Sequence, residues 1–201
     1  MDNESAINDQ RLLDAIRHGN KEALAGLFDR YYQRLCDFAL LYVKSADLAQ
    51  EVVSNVFFNL WMKRNDLSVC KNPKSYLFIC TRNQCINFLK KERLSLTEPL
   101  SGQENICWEN QTESAIYYKE LLGTVNHLIN KMPDQMQIVF KLHKFENLKY
   151  KEIALILSIS PNTVQNHMVK ANRFITKRLL EVNQQNLLIF ILTTTFFNFL
   201  F

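Results

Sequence analysis

Glycine and proline are both scarce in this chain, with four of each among 201 residues. All-β sandwiches and barrels need many tight turns, and these two residue types usually supply them. Their scarcity argues against a turn-dense β fold and favours helices joined by few loops. Fourteen Phe and seven Tyr, within a hydrophobic share of 47%, are enough for two modest cores. We therefore predict an all-α fold of two small helical domains.

The motifs of common enzymes are missing as well. The sequence has no Gly-rich phosphate loop, no closely spaced Cys/His cluster, and no Ser/His/Asp or Cys/His arrangement outside the helical patterns. The cysteines are odd in number and form no Cys-x-x-Cys pair: they are Cys36, Cys70, Cys80, Cys85 and Cys107. This usage is typical of reduced thiols in a cytosolic protein. We expect no catalysis, no metal and no cofactor.

The first ten residues, MDNESAINDQ, contain neither a basic segment nor an apolar one. A secretory signal needs both, so we expect none and predict a cytoplasmic location.

Positive charge is concentrated in two stretches. Residues 63–93 hold eight Lys or Arg against two acids, and residues 144–180 hold seven against two. The rest of the chain holds nine basic and sixteen acidic residues. Two separate contacts with a polyanion such as nucleic acid would explain this asymmetry, and so would solvated helix faces.

Apolar periodicity and composition divide the chain into four parts. Residues 9–93 place apolar side chains at spacings of three and four, with an interruption at Gly19, and predict one helical domain. Residues 94–114 contain Pro99, Gly102 and four Glu but no basic residue, which predicts a flexible acidic linker. Helical periodicity returns in residues 115–182, the second predicted domain. Residues 183–201 form a hydrophobic C-terminal tail.

Within the second domain, residues 147–180 have the pattern of a helix-turn-helix. The apolar side of its short first helix consists of Ile153, Ala154 and Leu157. Ser158–Ser160 then form the turn, with Ser160 placed to cap the second helix and Pro161 in its first turn. The predicted buried stripe of the second helix is Val164, Met168, Ala171 and Ile175, at spacings of four, three and four.

This arrangement leaves the polar residues of the second helix facing outward. They are Thr163, Gln165, Asn166, His167 and Lys170. Gln and Asn make paired hydrogen bonds to adenine, Lys reaches guanine or phosphate, and Thr contacts the thymine methyl group. The residues therefore suit a DNA major groove, and the alternative is an ordinary solvated helix face. Together with Glu152-Ile153-Ala154 and the turn, they favour DNA binding.

With these motifs in place, the chain resembles the extracytoplasmic-function sigma factors of the sigma-70 superfamily. Near the C-terminus it has Lys149-Tyr150-Lys151-Glu152-Ile153-Ala154 where the family commonly has Ser-Tyr-x-Glu-Ile-Ala. Near the N-terminus it has Asp47-Leu48-Ala49-Gln50-Glu51 leading to Leu60-Trp61, and then Tyr76-Leu77-Phe78-Ile79-Cys80-Thr81-Arg82-Asn83. Tyr76 replaces the family's Trp. The resemblance spans roughly residues 9–181, and two motif sets in the right order are hard to obtain by chance.

The resemblance implies an alternative sigma factor that binds core RNA polymerase and directs promoter-specific initiation. It implies that residues 9–93 contact the polymerase and the −10 element, and that residues 115–182 contact the −35 element. The expected −35 residues are Thr163, Gln165, Asn166, His167, Lys170 and Arg173. The expected −10 and melting residues are Asn65, Asp66, Asn72, Tyr76, Arg82, Lys90 and Lys91. The expected polymerase contacts are Asp47, Gln50, Glu51 and Asn55.

The implied partners are the clamp helices of the largest polymerase subunit, the polymerase flap, promoter DNA and an anti-sigma factor, with a monomer when the protein is free. The alternative is a helix-turn-helix regulator that works without polymerase. It would explain residues 148–179 and would leave the N-terminal matches as coincidence.

The C-terminal tail is not explained by the resemblance. Residues 187–201 are an apolar run of about fifteen, shorter than the roughly twenty residues of a membrane-spanning helix. The run is compatible with a patch folded back onto the helices, with a weak membrane or anti-sigma contact, and with a turnover tag.

Overall fold

The computed structural model describes residues 2–69, 72–95 and 125–182, together with the isolated Gly123. Every regular element within these ranges is a helix, as predicted. The elements are α1 (Asp2–Arg17), α2 (Lys21–Val43), α3 (Ala46–Met62), a 3₁₀ helix (Arg64–Val69), α4 (Pro73–Ser95), α5 (residues 125–130), α6 (Asp134–Lys144), α7 (Tyr150–Leu157) and α8 (Pro161–Val182). Two compact units are present, one containing α1–α4 and the other containing α6 and α8. Of the predicted linker, residues 94–114, the part from residue 96 onward lies outside the described residues, and so does the predicted tail.

The first two helices separate where the sequence predicts an interruption. Gly19 adopts a φ of 82°, a left-handed conformation that a residue without a Cβ reaches at little cost. Asn20 then caps α2, because its side-chain oxygen accepts a hydrogen bond from the backbone N–H of Ala23 at 2.9 Å. These two residues reverse the chain, so that α1 and α2 pack against each other.

Helix α2 is the centre of the N-terminal unit and contacts α1, α3 and α4. Its buried stripe includes Leu27, Leu35 and Ala39, which are fully enclosed. Phe38 of α2 meets Phe78 of α4 edge to face, with ring centroids 5.1 Å apart. Such aromatic pairs add about 0.5–1.5 kcal/mol to the gain from apolar burial.

A buried polar cluster joins α1 to α2. The Asp9 carboxylate, only 2% exposed, accepts hydrogen bonds from the Arg30 guanidinium and the Tyr31 hydroxyl. Burial of Tyr31, followed by the neighbouring carboxylate, raises the pKa of its phenol. A carboxylate this deep needs such partners, since an unpaired buried charge costs several kcal/mol.

Helix α3 begins with a side-chain cap. Ser45 is the N-cap, and its hydroxyl oxygen accepts a hydrogen bond from the backbone N–H of Leu48. Asp47 instead lies exposed in the first turn, where its charge is favourable to the helix dipole.

In the C-terminal unit, α5 and α6 meet at Pro133. This proline occupies the N-cap position, with ψ at 140°, and α6 starts one residue later. Nearby, the buried Gln137 side chain donates a hydrogen bond to the Asn130 side-chain oxygen at 2.9 Å. This bond satisfies a polar group that would otherwise be costly to bury.

Candidate nucleic-acid interface

Helix α7 starts with a side-chain cap made by the glutamate of the family motif. The Glu152 side chain accepts a hydrogen bond from the backbone N–H of Lys149 at 2.8 Å, which is the glutamate half of a capping box. The helix then buries its apolar side, which consists of Ile153, Ala154, Ile156 and Leu157. Glu152 thus holds the start of α7.

The turn after α7 has the predicted limits. Ser158 has a φ of 55°, a left-handed conformation that ends the helix. Ser160 caps α8, because its hydroxyl oxygen accepts a hydrogen bond from the backbone N–H of Thr163 at 3.0 Å. Pro161 is the first residue of α8, where its missing N–H leaves no helical bond unmade.

Helix α8 separates its buried and exposed residues as the periodicity predicts. The four predicted stripe residues, Val164, Met168, Ala171 and Ile175, are at most 1% exposed. On the outward side, Gln165, Asn166, Lys170 and Arg173 are exposed. A helix that projects Gln, Asn, Lys and Arg from one side can enter a major groove and contact base edges and phosphates.

Two of the predicted −35 residues, Thr163 and His167, are half-buried and not fully exposed as the sequence predicted. The hydroxyl groups of Thr163 and Ser160 are hydrogen-bonded to each other at 2.8 Å. Burial and the neighbouring Lys170 lower the pKa of His167 below its ordinary value. His167 is therefore neutral at pH 7 and offers a hydrogen-bonding ring rather than a charge.

One exposed residue of α8 was missed by the sequence reasoning. Val169 is 52% exposed, on the same side of α8 as Gln165, Asn166 and Arg173. An apolar side chain on a face that can meet bases contacts thymine methyl groups. The signal was present in the sequence, because Val169 falls outside the stripe defined by Val164 and Met168.

In the N-terminal unit, the segment between α3 and α4 contains a 3₁₀ helix. Its start is held by Arg64, which lies over the Trp61 ring at 4.7 Å and donates a hydrogen bond to the Trp61 carbonyl at 3.0 Å. Leu67, 4% exposed, anchors it to the unit. Asn65 and Asp66 are exposed on this short helix, so they are accessible as predicted.

Other residues predicted for the −10 element already have structural contacts. Asn72 is exposed, and its side-chain oxygen caps α4 by accepting a hydrogen bond from the backbone N–H of Ser75 at 3.0 Å. Tyr76 is half-buried and hydrogen-bonds to the Cys80 thiol, whose pKa is raised by burial.

Arg82 is also half-buried, and its guanidinium hydrogen-bonds to the Tyr42 hydroxyl. Burial raises the pKa of Tyr42 to about 12 despite this cation. Further along α4, Lys90 and Lys91 are exposed.

The predicted polymerase contacts lie on α3. Asp47, Gln50 and Glu51 are exposed, and Asn55 is half-buried. Gln50 borders a shallow groove of about 50 Å³ between α2 and α3. The structure thus brings these four residues onto one accessible helix. None of the described helices is both long and apolar enough to cross a membrane.

Comparison with known families identifies both units. The model of sigma-70 region 2 matches residues 27–94, and the model of sigma-70 region 4 matches residues 122–174. Together the two matches cover well over half of the chain. A helix-turn-helix regulator of another kind leaves the region 2 match unexplained.

Whole-length relatives agree with the family models. The RNA polymerase sigma-H factor of Pseudomonas aeruginosa is 24% identical, over 85% of this chain and 93% of its own length. The extracytoplasmic-function sigma factor SigW of Bacillus subtilis is 20% identical, over 85% and 96%. The sigma-E factor of Escherichia coli is 22% identical, over 86% and 95%.

Solved structures share the fold. The chain CnrH, solved with the cytosolic domain of CnrY, superposes with a TM-score of 0.60 at 17% identity, covering 88% of this chain and 99% of CnrH. The sigma factor RpoE of Bartonella quintana, solved with the anti-sigma factor NepR, gives 0.61 at 17% identity, covering 80% and 98%. Sigma-70 proteins are transcription initiation factors and not enzymes. This chain belongs to the extracytoplasmic-function sigma factors of the sigma-70 family and acts as an alternative sigma factor.

Proposed function

We propose that the two units divide promoter recognition between them in the cytoplasm. The N-terminal unit, within residues 9–93, binds core RNA polymerase and the −10 element. The unit within residues 115–182 binds the −35 element, and residues 94–114 connect the two.

The −35 assignment is carried by one observation, the separation of α8 into a buried stripe and an exposed polar face. Gln165 and Asn166 make the base contacts, with Thr163, His167 and Lys170 beside them. Lys170 and Arg173 neutralise phosphates, which adds affinity without sequence preference. Val169 adds an apolar contact to the same face.

The −10 assignment is supported by the exposed 3₁₀ helix and the basic α4 that follows it. Asn65 and Asp66 contact a base extruded from the melted duplex, with Asn72 at the adjoining cap. Extrusion costs a few kcal/mol, so polar groups must replace the lost base pair. Tyr76, Arg82, Lys90 and Lys91 then follow the single strand, since aromatic and basic groups together bind unpaired DNA.

The polymerase contact is supported by the exposure of Asp47, Gln50 and Glu51 on α3, with Asn55 one turn further on. These residues dock onto the clamp helices of the largest polymerase subunit, while the C-terminal unit contacts the flap. The free protein is a monomer that an anti-sigma factor holds inactive. The sigma factor RpoE of similar fold, solved with the anti-sigma factor NepR, supports this last inference.

The experiment that tests the proposal is run-off transcription from genomic fragments, using core RNA polymerase of the source organism with and without this protein. We expect new start sites that appear only with the protein and that share spaced −35 and −10 elements. Duplex binding by the protein alone, without new transcripts, would contradict the proposal.

A further inference from the structure

Two large apolar side chains stand exposed on α3. Phe58 is 61% exposed and Met62 is 60% exposed. They are four residues apart, so they lie one helical turn from each other on the same side. A single exposed apolar residue needs no explanation, but an adjacent aromatic and thioether pair marks a surface for a partner.

The pair continues the face already proposed for the polymerase. Each residue of an α-helix turns it by about 100°, so positions seven and eleven residues apart differ by only about 20°. Phe58 and Met62 follow Glu51 at these two separations. Asp47 and Asn55 lie within about 40° of Glu51 by the same count. One side of α3 is therefore polar over its first half and apolar over its second.

The charge of α3 indicates a protein and not DNA as the partner. The helix contains Asp47 and Glu51 but no Lys or Arg. A face with two acids repels phosphates, whereas DNA-binding surfaces gather basic residues. The basic α4 and α8 are thus suited to DNA, and α3 is not.

The size of the pair argues against a second copy of this chain. An aromatic side chain buries roughly 150–250 Å², whereas a stable interface needs about 800 Å² from each partner. Two side chains supply too little area alone. They suit the apolar centre of a larger interface whose polar rim is already present at Asp47, Glu51 and Asn55.

We propose that Phe58 and Met62 are the apolar anchor by which α3 docks onto core RNA polymerase, an inference that rests on the polymerase contact proposed above. The anchor extends that contact by two helical turns. Apolar and aromatic groups at the centre of an interface contribute most of its affinity, so the pair contributes more than the polar residues beside it.

The test is a titration of labelled full-length protein with core RNA polymerase, read by fluorescence anisotropy. The double variant Phe58→Ala/Met62→Ala is expected to bind at least about tenfold more weakly than the wild type. Asn59→Ala is the matched control, because Asn59 is exposed on the same turn but lies to the side of the face. Thermal unfolding checks the fold, which exposed substitutions leave nearly unchanged.

The outcomes separate this inference from the proposed function. If Glu51→Ala weakens core binding and the double variant does not, the anchor is overturned and the polymerase contact of α3 stands. If the wild type does not bind core polymerase, the proposed function fails and the anchor with it. If the free wild type is a dimer and the double variant is a monomer, the face binds a second copy of the chain. That result would overturn the anchor.

Discussion

On α8 the residues proposed to contact the −35 element lie opposite the residues that hold the fold, whereas near the −10 site several proposed contacts also hold local structure. Asn166 is exposed across the helix from the buried Val164 and Met168, and Gln165 is exposed to one side of them. By contrast, Asn72 caps α4, and Arg82 hydrogen-bonds to Tyr42. Sequence preference at the −35 element can therefore change without loss of the fold, while changes near the −10 site alter structure and DNA contact together.

The largest effect is expected from breaking the buried side of α8. Met168→Ala removes a side chain that is 1% exposed and leaves a cavity, which costs about 2–5 kcal/mol of unfolding free energy. Gln165→Ala, at an exposed position of the same helix, is expected to change stability by less than about 0.5 kcal/mol. Chemical denaturation of both variants measures the difference. Equal destabilisation would mean that the outward face also holds the fold.

The exposed side of α8 is expected to show its effect on sequence preference. Asn166→Ala should reduce discrimination at one base pair of the −35 element by about 1–3 kcal/mol. Arg173→Ala, at a residue proposed to contact phosphate alone, should instead weaken all sequences alike and lower the salt dependence of binding by about one unit of slope. Holoenzyme binding to a library of single-base −35 variants, at several salt concentrations, distinguishes the two. Identical profiles would contradict the division into base and phosphate contacts.

Asn72 allows the structural and DNA-binding roles of one residue near the −10 site to be separated. Asn72→Ala removes the cap of α4 and is expected to cost about 1 kcal/mol of stability. Asn72→Ser keeps a capping oxygen, so it should restore stability. Permanganate reactivity of promoter thymines reports melting in the holoenzyme. If the serine variant is stable but melts promoters poorly, the Asn72 carboxamide also contacts DNA. If the serine variant melts promoters normally, the role of Asn72 is structural alone.

The smallest effect is expected from pH. Because the folded-state pKa of His167 is lowered, the unfolded chain binds its proton more readily, and stability falls slightly as pH drops through the ordinary histidine range. Thermal melts at neutral and acidic pH should show less of this loss in His167→Gln. Protonation also adds a positive charge beside the DNA, so promoter affinity should rise at low pH in the wild type only. If His167→Gln and the wild type showed the same dependence of stability and promoter affinity on pH, both effects would be contradicted.

The sequence predicted the C-terminal unit in more detail than the N-terminal one for a physical reason. The stripe of α8 repeats at three and four residues, and helix burial has the same period. The 3₁₀ helix before α4 has no such signal, because its main apolar anchor is Leu67 and its start depends on Arg64 lying over Trp61. Contacts between unlike residues leave no periodic trace in a sequence.

Side-chain roles were harder to predict than helices. The polar type of Asn72 and Arg82 suggested DNA contact, but type alone cannot show that a cap or a buried hydroxyl already engages the side chain. Val169 was missed for another reason, because its apolar type concealed its place on the exposed face.

Reading of the −35 element by α8 is tested most directly by mapping transcription start sites with one core polymerase and two proteins, the wild type and Asn166→Ala. We expect both proteins to initiate at promoters with the same −10 element, while the preferred −35 sequence changes in the variant. Equal loss of initiation at every promoter, with an unchanged −35 preference, would contradict the claim that α8 reads the −35 element.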